Sequence, residues 1–404
     1  MTATIDPATD PNERYTIISS DCHAGANHAT YREYLSPEWR DEFDAWRDRY
    51  KNPFRDLQDD GRTRNWDDAR RLPEEEQDGV VAEVVFPNTV PPFFPTGVVI
   101  AQAPSPEDYP ARLEGIRTHN RWLVDFCAAQ PDRRRGVGQL LLNNVEDSLE
   151  DVRWIKDHGL ASVLLPGVAP GGEVPPLFDP VYEPLWQLCA ELDLPVTHHG
   201  GGSGQPDYGD HPWSQNIWLI EVPFFANRAL WHLTMSGVFE RNPELIFVMT
   251  EQGSTWIPGA LASMESAHFM SASGKFGEIG PSQYALKEQP TEYFKRNVFV
   301  GSSFPSKADA KVFQKLGLDN FMWGSDYPHR EGSWPYTREQ LRRSFEGWAP
   351  TDLKQIFSEN IAKIYKFDLD KLAPFGAQFG PTVAELRVPL DEIPPQASSP
   401  GFYR

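Results

Sequence analysis

The stretch "GVGQLLLNNVEDSLEDVRWIKDHGLASVLLPG", residues 136–167, contains one complete unit of the predicted fold. It begins with the apolar run Gly136–Leu142 and ends with a second run, Ser162–Leu165, and both are bounded by turn residues. Short apolar runs of this kind are typical of buried β-strands. Between them, apolar residues recur at a helical spacing until Gly159, a common helix stop. The pattern therefore predicts two parallel strands joined by a helix.

The same alternation of strand and helix extends over most of the chain. Most of the eight apolar runs are apolar on both faces, which is typical of parallel strands covered by helices. Eight such units predict an α/β fold, a (β/α)8 TIM barrel. The alternative is an open doubly wound sheet, but no GxGxxG or P-loop motif follows an early strand. The predicted strands are Ile17–Ser20, Ala82–Phe86, Gly136–Leu142, Ser162–Leu165, Pro195–His199, Leu245–Thr250, Asn297–Gly301 and Phe321–Ser325.

Two segments do not follow the barrel pattern. We interpret residues 15–368 as a single barrel domain with an inserted segment at 35–78, after the first strand. The insertion is dense in Trp, Arg and Asp and is interpreted as a lid, a subunit contact or a solvated surface loop. Residues 371–404 are rich in proline, and we expect them to form an extended C-terminal tail.

The composition excludes several classes of protein. The 404 residues carry a formal net charge of −20, which argues against a nucleic acid or an anionic membrane as partner. The three scattered cysteines do not form a disulfide framework and fit a reducing compartment. The sequence shows neither a secretory signal nor a membrane-spanning apolar run. These features predict a cytoplasmic protein.

Ionisable residues follow four of the eight predicted strands. In a barrel of this type the active site lies where the strands end, so these residues are expected to converge. Asp, His and Glu are the usual protein ligands of a divalent metal with oxygen and nitrogen donors. Their joint occurrence predicts a metal site. The residues are Asp21 and His23 after the first strand, His198 and His199 at the fifth, Glu251 at the sixth, and Asp326 and His329 at the eighth.

Four motifs resemble those of a known family. They are "SSDCH" at residues 19–23, "LPVTHHGG" at 194–201, "SGVFERNPELIFVMTEQGS" at 236–254 and "FMWGSDYPH" at 321–329. Together they resemble the amidohydrolase-related family, the branch of the amidohydrolase superfamily that includes aminocarboxymuconate-semialdehyde decarboxylase and γ-resorcylate decarboxylase. The resemblance covers roughly residues 15–368 and implies a barrel of the metal-dependent hydrolase type.

The resemblance implies metal ligands at Asp21, His23, Asp326 and one of the two adjacent histidines. The family commonly places its fifth-strand ligand four residues after the proline, and this spacing selects His199 over His198. Adjacent strand residues face opposite ways, so only one of the two can point inward. Two carboxylates and two imidazoles suit one divalent ion, Zn, Mn or Fe, and a second ion is a further option.

Two departures from the family pattern guide the expected function. The first strand carries Asp-x-His where many relatives have His-x-His, and Glu251 stands where many have a histidine. A carboxylate there cannot hydrogen-bond an anionic substrate as an imidazolium would, which argues against a direct transfer of decarboxylase activity. We therefore expect a hydrolase in which metal-activated water attacks a C–N or C–O bond. Asp326 would hold or deprotonate this water, and Glu251 would be a second acid or base.

Two alternative functions use the same metal. A non-oxidative decarboxylase of a small carboxylic acid would favour a basic residue near the metal, for which Arg228 and His232 are candidates. A non-heme iron oxygenase on the same scaffold is the third option. Glu221 and His329, together with His198, are further candidates for contacts at the site. Aromatic loops around the strand ends predict a small ring-bearing or apolar substrate, and we expect a homo-oligomer, a dimer or larger.

Overall fold

The structure is a computed structural model and describes residues 10–51, 60–201, 204, 206, 208–274 and 286–403. Its centre is a single sheet of eight parallel strands in sequential order, each paired with the next along the chain. The strands are β1 (Ile17–Ala24), β2 (Val80–Pro87), β3 (Arg134–Gln139), β4 (Ser162–Leu165), β5 (Val196–His199), β6 (Phe247–Thr250), β7 (Val298–Ser303) and β8 (Phe321–Gly324).

The sheet closes where β8 meets β1. Cys22 forms a parallel bridge with Tyr327, the His23 amide donates to the Tyr327 carbonyl at 2.7 Å, and the Asp326 amide donates to the Asp21 carbonyl at 2.8 Å. These bonds join the polar ends of the first and last strands directly. The predicted TIM barrel is confirmed.

Helices alternate with the strands and cover the outside of the barrel. No helix in the described ranges combines the length and apolar character needed to cross a membrane. The helices are α1 (His28–Tyr34), α2 (Arg40–Arg49), α3 (Asp68–Asp78), α4 (Tyr109–Ala128), α5 (Val145–Asp157), α6 (Glu183–Glu191), α7 (Ser214–Met235), α8 (Val238–Arg241), α9 (Ile257–Ser273), α10 (Pro290–Asn297), α11 (Lys307–Leu316), α12 (Thr337–Ser344), α13 (Pro350–Lys354), α14 (Asn360–Tyr365), α15 (Leu369–Phe379) and α16 (Val383–Arg387).

Two apolar clusters divide the strand residues into an inward and an outward set. Val248, Phe299 and Met322 belong to the interior cluster, which α14 and α15 extend with Ile361 and Leu372. The outward set packs under the surrounding helices and forms the larger cluster. This alternation fixes which side chains at a strand end can reach the barrel mouth.

The C-terminal segment differs from the extended tail that its proline content predicts. It contains most of α15, all of α16 and a 3-10 turn at Pro400–Phe402. Leu372 is fully buried in the barrel interior, and Phe402 is 2% exposed. A Cβ atom at Gly401 would lie 2.4 Å from the Phe304 carbonyl oxygen, so the turn packs tightly on the loop after β7. Apolar residues among the prolines anchor this segment to the barrel.

The insertion at 35–78 is attached to the barrel by a network of buried charges. Its helix α3 supplies Arg71, whose Nε donates to Glu83 of β2 at 3.0 Å. Arg134 of β3 donates to the same carboxylate at 2.9 Å and to Asp68 of α3 at 2.6 Å. Glu75 lies 3.6 Å from Arg71. We call these five residues the insertion network. The predicted insertion also includes residues 52–59, which lie outside the described residues.

Candidate metal centre

The four predicted metal ligands lie together at the mouth of the barrel. Asp21 Oδ1 is 3.3 Å from His23 Nε2 and 3.3 Å from His199 Nε2. His23 Nε2 is also 3.2 Å from Asp326 Oδ1. All four residues are buried, with exposures of 4% or less. Ligand atoms at this separation can share one cation.

The local backbone brings these side chains to one point. The register of β1 against β2 shifts between Ser19 and Cys22, an irregularity of the kind found at active-site strands. Gly324 of β8 leaves room beside β1, because a Cβ atom there would lie 2.8 Å from Asp21 Cβ. Asp326 has a left-handed backbone with φ of 62°. A non-glycine residue in this region is uncommon and is often found at functional sites.

Both candidate histidines direct the same nitrogen atom toward the centre. His23 Nδ1 lies 3.1 Å from the Pro87 carbonyl oxygen, and His199 Nδ1 lies 3.3 Å from Glu251 Oε2. An acceptor at Nδ1 places the proton there and leaves the Nε2 lone pair for a metal. Glu251 thus orients His199 from the side opposite Asp21.

Two buried polar atoms of the cluster have unmet bonding capacity. Neither His23 Nε2 nor Asp326 Oδ2 has a hydrogen bond of acceptable geometry within the described part of the chain. Such atoms cost free energy unless something binds them. Ligand atoms of Asp21, His23, His199 and Glu251 all lie within 4.8 Å of one another. A divalent cation could be bound by this set, so these residues fit a metal, and Asp326 adjoins the set through His23 Nε2.

The electrostatics of the cluster favour charged carboxylates. Burial alone would raise the pKa of Asp21, but His199 and His23 outweigh it and hold this pKa below its usual value. Burial also opposes ionisation of Asp326, and His329 lowers its pKa in the same way. The Asp326 carboxylate in turn overcomes the burial of His329 and raises the pKa of that imidazole well above normal. Asp326 and His329 therefore form an ion pair.

A chain of hydrogen bonds connects this ion pair to the insertion. His329 Nδ1 donates to Asp326 Oδ1 at 2.7 Å, and His329 Nε2 donates to Asn88 Oδ1 at 3.0 Å. The amide nitrogen of Asn88 donates to Asn65 Oδ1 at 2.7 Å, and Asn65 donates to the Arg62 carbonyl at 2.9 Å. Each bond fixes the orientation of the next group, so the direction of both His329 protons is set.

Glu251 separates two cavities at the barrel mouth. The first cavity has a volume of about 220 Å³, and the second about 400 Å³. Glu251 and Gly201 line both, so the two spaces adjoin. The first cavity contains the metal-side groups and an apolar wall. Its lining includes His23, His199, His329, Val98, Ile100 and Trp218.

Four of the candidate residues lie away from the cluster. His198 faces outward from β5, where Gln252 Nε2 lies 3.2 Å from its Nδ1, and burial lowers its pKa to about 3. Arg228 donates to the Val168 carbonyl at 2.8 Å. His232 packs edge-on against Phe178, and Glu221 accepts a hydrogen bond from Tyr208. Arg228 and His232, predicted to hold a substrate anion, line neither of the two cavities.

The structure adds residues that sequence reasoning missed. Ser303 at the end of β7 donates a hydrogen bond to Asp21 Oδ2, and Asn88 follows β2. Both stand at strand ends whose polar residues gave only a weak signal in the sequence. Arg71 donates to the His23 carbonyl at 2.8 Å. Its sequence context in the insertion gave no indication of this contact.

Comparisons with known proteins identify the family. The sequence model of the Amidohydrolase family matches residues 21–367. γ-Resorcylate decarboxylase of Rhodococcus jostii (strain RHA1) is 27% identical over 293 residues, which cover 68% of this chain and 84% of that protein. Among solved structures, 5-carboxyvanillate decarboxylase from Sphingomonas paucimobilis is similar, with a TM-score of 0.65 and 19% identity over 88% of this chain and all of that one.

A second 5-carboxyvanillate decarboxylase, from Novosphingobium aromaticivorans, was solved with bound manganese and 3-methoxy-4-hydroxy-5-nitrobenzoic acid. It has a TM-score of 0.65 and 18% identity, covering 90% of this chain and 100% of that chain.

These relatives correct the functional prediction. The expected hydrolase is wrong, because the relatives are decarboxylases and favour the alternative. The donor set fits a metal in either case, and it does not specify which substrate bond is broken. No relative named here supports the oxygenase alternative. The resemblance to the branch that includes γ-resorcylate decarboxylase is confirmed. The chain belongs to the Amidohydrolase family and is an enzyme of the amidohydrolase superfamily.

Proposed function

We propose that this protein is a divalent-metal-dependent, non-oxidative decarboxylase of a small aromatic carboxylic acid. The observation that carries the proposal is the similarity to γ-resorcylate decarboxylase, which extends over 84% of the length of that enzyme. The aligned share is large enough to include a whole barrel rather than one motif. The mixed nitrogen and oxygen donors at the barrel mouth support the same conclusion.

The proposed ligands are Asp21, His23, His199 and Asp326, with one ion per chain. Mixed imidazole and carboxylate donors suit Mn, Fe or Zn. Mn²⁺ is the first ion to test, because it is the ion bound in the related 5-carboxyvanillate decarboxylase. When bound, the ion would act as a Lewis acid that holds the carboxylate or an adjacent hydroxyl of the substrate. A second ion is not part of the proposal.

The first cavity supports a single aromatic ring as the reacting part. A cavity of about 150 Å³ can hold benzene, and the first cavity measures about 220 Å³. Val98, Val99, Ile100 and Trp218 provide its apolar wall, and the metal ligands lie on the other side. A ring between them would direct its carboxylate toward the cluster.

We assign the proton transfer to Asp326 and His329. Loss of CO2 from an aryl carboxylate breaks one C–C bond and requires one proton at the same ring carbon. Asp326 Oδ1 accepts a hydrogen bond from the His329 imidazolium at 2.7 Å, so the His329 proton can pass to Asp326 and from it to the ring carbon. Asn88 fixes the ring of His329 from the opposite nitrogen. Glu251 orients His199 and contacts the substrate from between the two cavities.

The proposal is tested by CO2 release from defined acids under argon. Manganese-loaded protein is incubated with 2,6-dihydroxybenzoate, 2-hydroxybenzoate and 5-carboxyvanillate, and CO2 and the decarboxylated phenol are quantified. We expect equal amounts of the two products from at least one acid, and none after chelation. Absence of product from every acid, or a requirement for oxygen, would contradict the proposal.

A homo-oligomer is also part of the proposal. Helix α7 carries several large apolar side chains with much of their surface exposed, among them Leu219 at 57% and Ile220 at 74%. Contiguous exposed apolar surface is often an interface. Light scattering should give a mass of at least two chains, and Ile220→Lys should lower it. A monomer at micromolar concentration would contradict this part of the proposal.

A further inference from the structure

The second cavity adjoins the first cavity at the barrel mouth. Its volume of about 400 Å³ exceeds that of the first cavity, and it opens past Glu251 and Gly201. Trp256, Phe304 and Pro400 contribute to its walls. The indole nitrogen of Trp256 donates to the Gln252 carbonyl at 3.0 Å, which fixes this ring in the wall. The space is large enough for a second ring-sized group of the same ligand.

The charge of the second cavity differs from that of the first. Among its described lining residues there is no Lys, Arg or His, and the ionisable ones are Glu251 and Asp309. The Asp309 carboxylate is already satisfied: Oδ1 accepts from Ser254 and Oδ2 accepts from Ser306. An anionic group would therefore enter a space without a compensating cation, which is costly in a partly enclosed site.

Two buried side-chain amides in the wall lack hydrogen-bond donors. Asn227 is 7% exposed and Gln252 is 5% exposed, and both line the second cavity. Gln252 uses its nitrogen to donate to the His198 carbonyl at 2.9 Å, so its oxygen points the other way. Neither Asn227 Oδ1 nor Gln252 Oε1 has a partner among the described residues. Both oxygens are enclosed, so these two amides line the cavity as uncharged groups and supply no cation to an anionic ligand.

We propose that the second cavity is a specificity subsite for a neutral substituent of the substrate, such as a hydroxyl-bearing ring. The inference rests on the proposed function, because it takes the reacting carboxylate to lie at the metal ligands. The substrate class is then an aromatic acid larger than one ring, with its anionic end at the histidines and its neutral end beyond Glu251. A second carboxylate at that end is rejected.

The test uses binding of matched inhibitors or substrates to manganese-loaded protein by calorimetry. The probes are 2-hydroxybenzoate and its 4-aryl and 5-aryl derivatives, in which the outer ring carries either a hydroxyl or a carboxylate. We expect the hydroxyl compound of at least one isomer to bind about tenfold more tightly than its carboxylate counterpart. Thr255 is an exposed residue that lines the second cavity, and a positive charge can be introduced there.

Thr255→Lys should abolish or invert this preference. Ser263→Lys is the matched control, because Ser263 is exposed on α9 and does not line the cavity. The inference is overturned if hydroxyl and carboxylate probes bind equally in both isomers, if neither aryl compound binds, or if Thr255→Lys leaves the preference unchanged. Failure of the proposed decarboxylase is a separate result, namely no CO2 from any acid, aryl-substituted or not.

Discussion

The barrel mouth and the insertion network are both clusters of buried ionisable groups, and they differ in how their bonding capacity is used. In the network, Glu83 is held by Arg71 and Arg134, which lower its pKa to about 2 despite burial. At the mouth, beside a cavity, His23 Nε2 and Asp326 Oδ2 have no hydrogen bond of acceptable geometry among the described residues. Glu75 Oε1 of the network also lacks a hydrogen bond among the described residues, but Glu75 lines neither cavity. Paired buried charges indicate a structural role, whereas unmet ones beside a cavity indicate a ligand. The following predictions are ordered by their expected effect on activity.

Asp326→Asn should have the largest effect on activity. The substitution removes a proposed metal ligand and the acceptor of the His329 proton, and loss of positioned acid–base catalysis costs about 10²–10⁴-fold. CO2 release per metal-loaded chain measures the loss. Circular dichroism should show an intact fold, because the amide is isosteric with the carboxylate. An activity within tenfold of the unmodified protein would remove Asp326 from the mechanism.

Asn88→Ala should lower kcat by about 10–100-fold, the usual cost of removing a group that orients a metal-site residue. His329 would lose the acceptor at Nε2 and with it one restraint on its ring. KM should change less than kcat: Asn88 also lines the first cavity, but the apolar wall and the metal-side groups remain. Asn143→Ala is the control, since Asn143 also donates to a backbone carbonyl but lines neither cavity. Equal effects of the two substitutions would argue that Asn88 has no role in positioning.

Glu83→Gln should lower stability far more than activity. The substitution removes the buried carboxylate that Arg71 and Arg134 share, and removing one partner of such a pair costs about 3–5 kcal/mol. Urea unfolding of the metal-free protein measures the free energy of unfolding. We expect activity at low temperature to fall less than about tenfold, because Arg71 still holds the His23 carbonyl. A large loss of activity with unchanged stability would reverse the roles assigned to the two clusters.

Asp78→Asn should leave activity unchanged and alter only how stability depends on pH. Burial raises the pKa of Asp78 to about 7, above the value of about 3.9 in an unfolded chain. The folded protein therefore holds this proton more tightly, so its contribution is complete below about pH 4 and is lost as the pH rises through about 7. The difference in Tm between Asp78→Asn and the unmodified protein should change over this interval. A constant difference would show that Asp78 is not the titrating group.

Local patterns in the sequence were sufficient to predict the barrel and its polar mouth. Residues that can bind a metal stand at or directly after the ends of the predicted strands. Asp21, His23, His199 and Asp326 could therefore be recognised as candidates before their distances were known. The choice between His198 and His199 followed from strand alternation and motif spacing together. The structure places His199 beside Asp21 and His198 under the helices.

The remaining features depend on contacts that are distant in sequence. Arg71 of the insertion donates a hydrogen bond to the His23 carbonyl, and Asn65 is connected to His329 by hydrogen bonds through Asn88. Such contacts leave no periodicity that a single sequence can show. The substrate bond that is broken could not be predicted either, because the same metal ligands can serve hydrolysis and decarboxylation. Helices α15 and α16 were not predicted, because the proline content of this segment suggested an extended tail and its apolar residues were given no weight.

Calorimetric titration of metal-free protein with Mn²⁺ tests the central claim most directly. The account predicts one ion per chain in the unmodified protein and in Glu83→Gln. It also predicts that Asp21→Asn and His199→Asn weaken binding by at least about tenfold, the lower range for groups at a metal site. Unchanged Mn²⁺ binding in both ligand variants, or no divalent metal bound by the unmodified protein, would contradict the account.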